Sequence, residues 1–117
     1  MTTQNEGKLI FAVLQGEDYD EVVEQLNKNG FYVTMLNSSG GFLKKRSVTI
    51  MIGVENERFE AAVEILKREA GKRKETIYRS IPLPHGEPTI SAPTFPVEVE
   101  RGGATIFVLN MDSMEKF

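Results

Sequence analysis

Twice along the chain, an apolar run of strand length leads across a short polar break into apolar residues spaced i, i+3, i+4, i+7. The first copy is Lys8-Leu9-Ile10-Phe11-Ala12-Val13-Leu14-Gln15 between Gly7 and Gly16, followed by Tyr19, Val22, Val23 and Leu26. The second is Val48-Thr49-Ile50-Met51-Ile52-Gly53-Val54, followed by Phe59, Ala62, Val63 and Leu66. A continuous apolar run of this length reads as a strand covered on at least one face, and the spacing that follows reads as one helical stripe. The repeat predicts two strand–helix pairs whose helices share one side of a sheet.

Local signals place the ends. Glu17-Asp18 supplies negative charge where a helix N-terminus is positive, and Lys28-Asn29-Gly30 supplies the cation and left-handed residue that suit its end, predicting a helix over 17–29. Asn56 has the chemistry of an N-cap for the second helix, which runs to Gly71. Phe31–Leu36 is aromatic and β-branched and predicts a second strand parallel to the first through the helical crossover. Ala104–Leu109 is the last strand. The fold class that follows is α+β, a ferredoxin-like βαββαβ sandwich. Between Gly71 and Ala104, Thr76–Arg79 and Val97–Glu100 predict an extra strand pair, and all five prolines, Pro82 to Pro96, crowd its tip around the single histidine, His85. A connection that long is a functional or mobile element. Residues 1–7 read as a loose N-terminal tail before a single domain spanning 8–117, and Met111–Phe117 as a turn of helix ending in an aromatic anchor.

Composition narrows the function. A chain of 117 residues makes one domain, and 40% hydrophobic residues suffice to build its core. Such a chain leaves about a third of its unfolded surface exposed, so burial against sister subunits adds real stability. Net charge −3 with interspersed signs argues against binding nucleic-acid polymers or anionic membranes. The lack of cysteine removes disulfides, thiolate metal sites and cysteine nucleophiles, and with no signal-type or membrane-length apolar run it suggests a cytoplasmic protein without membrane insertion. No P-loop, dinucleotide fingerprint, zinc spacing or acid–base pair stands out, so catalytic residues, metal and cofactor are all expected to be absent. Carboxylates such as Glu21, Glu24, Glu57, Glu60 and Glu64 fall on polar helix faces or helix starts and read as solubilising.

One segment suggests ligand binding. In Ser38-Ser39-Gly40-Gly41-Phe42-Leu43, paired glycines let successive N–H groups point into one concavity suited to an anion, Lys44, Lys45 and Arg46 add positive potential, and Phe42 offers a face for a purine. The same residues also read as an ordinary hairpin tip with solvated lysines.

Lys8–Gln15, Asn29-Gly30-Phe31, Gly40-Gly41-Phe42-Leu43, and Pro96-Val97-Glu98-Val99-Glu100 with Gly102-Gly103-Ala104-Thr105, in that order, make the chain resemble the PII-like cyclic-di-AMP receptors of the PstA (DarA) family. The likeness runs from about residue 8 to Phe117. It implies a homotrimer with ligand pockets at subunit boundaries, cyclic-di-AMP as ligand, and signalling to a protein target through loop ordering. It also implies ligand contacts at Thr34, Gly41, Phe42, Leu43, Gly53 and Phe107. Several positions depart from the family pattern. Gly30 and Tyr32 stand where asparagine and arginine are usual, Arg46-Ser47-Val48 replaces Gly-Asn-Thr, and Lys116 replaces a glutamine. These departures leave a second reading open: a PII-like trimer with an altered pocket that binds another nucleotide or anion, or acts as a protein-interaction module.

Overall fold

The computed structural model describes residues 2–36, 47–81 and 93–117. Strand β1 (Thr2–Gln15) passes through a 3-10 turn at Gly16–Asp18 into helix α1 (Tyr19–Lys28), and then come β2 (Val33–Met35) and β3 (Ser47–Glu55). A second 3-10 turn, Asn56–Arg58, leads into α2 (Phe59–Ala70), followed by β4 (Arg73–Ser80), β5 (Thr94–Arg101) and β6 (Thr105–Lys116). The main sheet has the order β2-β3-β1-β6, and β4 and β5 form a separate antiparallel pair. This is the α+β, ferredoxin-like order with the extra strand pair expected between α2 and the last strand. Strand β2 does run parallel to β1, but β3 lies between them and is antiparallel to both.

Alternation along the strands sorts the sheet into two faces. Ile10, Ala12 and Leu14 of β1 and Val48, Ile50, Ile52 and Val54 of β3 are buried against Val22 and Leu26 of α1 and Ala62, Ile65 and Leu66 of α2. Both helices start without a side-chain cap: Asn56 opens the 3-10 turn rather than capping α2, which begins at Phe59. Helix α1 ends as its sequence suggests, with Gly30 at φ +82°, a conformation that favours glycine.

Two expectations at the termini fail. Thr2–Gly7 is not a loose tail but the first half of β1, and Met111–Lys116 is not a helical turn but the second half of β6. The two segments pair with each other, Thr2 opposite Lys116 and Asn5 opposite Ser113. Antiparallel ladder bonds between main-chain groups hold them, and such bonds need no apolar pattern. Phe117 is fully exposed and is no anchor among the described residues.

The β4–β5 ribbon is fastened at its base by charge. Asp18, buried at 5% side-chain exposure, accepts hydrogen bonds from Arg73 Nη2 at 2.6 Å and Nη1 at 3.4 Å. Arg73 also donates to the Gly71 carbonyl and to Glu75, while Arg101 pairs with Glu17 and Glu75. The hydrogen bond to Asp18 raises the Arg73 pKa above the ordinary guanidinium value, with partial burial opposing it. Gly102, at φ +80°, brings the chain from β5 back against the carbonyls of Ala70 and Gly71. The radius of gyration, 19.0 Å, far exceeds the roughly 13 Å of a compact chain this long. A lone two-stranded ribbon is marginal in water, so the charged contacts at its base carry much of its attachment.

Candidate ligand site

The helices cover only one face of the main sheet. On the other lie Leu9, Phe11 and Val13 of β1, Thr49, Met51 and Gly53 of β3, Thr34 of β2, and Phe107 and Leu109 of β6, brought side by side by the strand register. An antiparallel sheet normally turns a polar face to water. Here that face is mostly apolar, with Phe107 57% and Leu109 50% exposed. A contiguous apolar patch of this kind marks an interaction surface.

A cavity of about 350 Å³ opens on this face. Leu9, Met51, Met111 and Met114 provide its apolar wall. Tyr32, Thr34, Ser113 and Lys116 provide its polar groups. Gly53 is at its floor, where an added methyl would come within 3.2 Å of Met114 Sδ and 3.5 Å of Met111 Sδ. Small size at that position keeps the cavity open. Lys116 Nζ sits 3.7 Å from the centre of the Tyr32 ring, a cation–π pair at the cavity rim. Beside it is a smaller hollow lined by Gly30, Phe31, Glu55 and Arg58 as well as Tyr32 and Lys116. There the Arg58 guanidinium stacks 4.2 Å from the centre of the Phe31 ring and donates from Nη2 to the Asn29 carbonyl. Apolar walls with a few convergent polar groups are the usual make-up of a small-molecule site.

Thr34 and Gly53 therefore meet in one cavity. Phe107 lies on the same sheet face, opposite Phe11, but outside that lining. Gly41, Phe42 and Leu43 lie outside the described residues, as do Arg46 and His85. The cavity also recruits Met111, Ser113 and Met114, which sequence reasoning did not select, and joins Tyr32 to Lys116, which it treated separately. One signal was available: Ala104–Phe117 contains neither glycine nor proline, so a strand starting at Thr105 meets no breaker before the chain end. Among the described residues no group of acids or histidines could hold a metal ion, and no helix is long and apolar enough to cross a membrane.

A family model described as cyclic-di-AMP receptor matches residues 7–117. The chain belongs to the cyclic-di-AMP receptor family. That makes cyclic-di-AMP the ligand class its family recognises. Its structure is also similar to the crystal structure of a functionally unknown protein from Pediococcus pentosaceus ATCC 25745, at 32% identity and TM-score 0.70, over 97% of this chain and all of that one.

Proposed function

We propose that this receptor is a cytoplasmic homotrimer that binds cyclic-di-AMP at its subunit boundaries and signals by ordering its long loops for a protein target. The observation that carries the proposal is the apolar sheet face left open beside a cavity containing Thr34 and Gly53, two residues the family resemblance assigns to the ligand. A second copy seated on Phe107 and Leu109 would bury that face and close one side of the cavity. Gly41, Phe42 and Leu43 would complete the site, with backbone N–H groups for an anion and a ring for an adenine. Ligand contacts made in only one loop arrangement would then shift the loops toward it.

Calorimetry with cyclic-di-AMP, ATP and other cyclic dinucleotides tests the sensing claim, with Phe42→Ala as the matched control. Saturable binding of cyclic-di-AMP alone supports it, and flat titrations throughout reject it. Light scattering tests the assembly. A trimer has a mass of about 39 kDa, three times the 13.1 kDa of the chain, and a monomer at working concentration removes the boundary at which ligand would bind.

The second reading, an altered-pocket trimer that serves as an interaction module or binds another anion, is favoured by the exposed Tyr32, which supplies no cation of its own where the family has arginine. Thermal shift separates the two, because a ligand that binds only the native state raises the melting temperature.

A further inference from the structure

Among the described residues, the lining of the open-face cavity is neutral except at one point. Leu9, Met51 and the two methionines of β6 are apolar, Thr34 and Ser113 contribute hydroxyls, and Lys116 is the single charged residue among the described residues that line it. Its ammonium is posted on the face of Tyr32 at 3.7 Å. A ring quadrupole holds an ammonium without consuming its N–H donors, so a cation placed this way keeps hydrogen-bonding capacity for an anion. Arg58, a neighbouring cation among the described residues, is differently engaged: it stacks on Phe31, donates to the Asn29 carbonyl, and lines the adjoining hollow together with Glu55 rather than the cavity.

A cyclic dinucleotide brings two purines and two phosphodiesters, each with one negative charge. Its purines suit apolar and aromatic walls, and its phosphodiesters need a cation, because a charge entering a mostly apolar hollow without one is strongly disfavoured. We propose that Lys116, positioned by the ring of Tyr32, is the phosphodiester-recognising residue of this chain. The inference rests on the reading that a cyclic dinucleotide binds here. It divides the work between an ammonium that touches the ligand and a ring that positions it. Tyr32 is therefore a positioning residue, and its hydroxyl is dispensable where its ring is not.

The test is calorimetry of cyclic-di-AMP against the intact chain at low and high salt, with four variants whose fold and assembled mass are checked by circular dichroism and light scattering. Lys116→Met, which removes the cation and every polar group at its tip, should bind about 10- to 100-fold more weakly, the loss typical of one charge-assisted hydrogen bond. Its affinity should also fall less with salt, since one cation no longer meets the phosphate. Lys116→Arg and Tyr32→Phe should stay near the wild type, whereas Tyr32→Leu, which keeps the ammonium and removes its platform, should weaken binding and leave part of the salt dependence. Wild-type affinity and salt dependence in Lys116→Met overturn the proposal while the receptor reading stands. Equal losses in Tyr32→Phe and Tyr32→Leu overturn the positioning role of the ring. A flat wild-type titration ends the receptor reading, and this inference falls with it.

Discussion

Replacing Asp18 by alanine isolates what fastens the β4–β5 ribbon to the rest of the fold. The carboxylate is buried and takes two hydrogen bonds from Arg73. Removing one partner of a buried ion pair typically costs about 3–5 kcal/mol, mostly because the other charge is stranded. Arg73 is not fully stranded: its side chain stays 29% exposed and keeps the Gly71 carbonyl and Glu75 as acceptors. The expected loss is therefore about 2 kcal/mol, below the buried-pair range and above that of an exposed pair. With a urea m-value of about 1–2 kcal/mol/M, the midpoint at matched protein concentration should fall by about 1–2 M. Hydrogen exchange should locate the damage, with amides of β4 and β5 opening faster while β1 and β3 keep their protection. Asp18→Asn retains an acceptor and should lose less. The sign with pH follows from Arg73. Its pKa is raised on folding, so its stabilisation is complete below the unfolded value and is lost only as pH rises through the still higher folded value. The difference between wild type and Asp18→Ala should thus be constant from about pH 7 to 10, where arginine stays charged in both states. A midpoint shift smaller than about 0.3 M, or faster exchange spread evenly over the core strands, would refute the reasoning.

Gly102→Ala puts a Cβ against the Gly71 carbonyl oxygen at a positive φ, and should cost more than about 2 kcal/mol in urea unfolding. Gly53→Ala meets only the movable thioethers of Met114 and Met111, so stability should change by less than about 1 kcal/mol while calorimetry shows weaker cyclic-di-AMP binding. Leu109→Glu places a charge on the open sheet face, and if the proposed trimer forms there, light scattering should show its mass falling toward that of the single chain.

The parts of the fold written in side-chain periodicity were legible, and the parts held by backbone pairing or by one long-range contact were not. Ile10, Ala12 and Leu14 alternate, and Val22 and Leu26 sit on a helical stripe, so the β1–α1 unit could be read directly. Thr2–Gly7 is polar apart from Met1 before it and carries no such rhythm; its strand character depends on the ladder to Met111–Lys116, nearly a whole chain length away. Nothing local in Met111–Phe117 distinguishes a turn of helix from the end of a strand. Asp18 reads as a helix-start acid, because nothing local reveals that Arg73, 55 residues on, will pair with it. At the site, Thr34 and Gly53 were named through the family resemblance, and their meeting in one cavity follows from register, Thr34 opposite Met51 and Gly53 opposite Leu9. The Tyr32–Lys116 contact needed the whole tertiary fold.

That contact has a structural cost and a use. Strand β6 lies at the edge of the sheet, with β1 between it and β3. For Met114 to cover Gly53 of β3, and for Lys116 to reach the Tyr32 ring just before β2, the paired ends of β1 and β6 must bend together toward the open face. The N-terminal half of β1 supplies the ladder partner that keeps this end extended. The same bend divides the open face. The cavity takes the end marked by Leu9 and Gly53, whereas Phe107, toward the opposite end, remains exposed. In the proposed assembly a second copy would cover that apolar end and stop at the rim of the cavity. Ligand and subunit would then meet along one line rather than compete for one surface, the arrangement that lets binding at the boundary be felt by both copies.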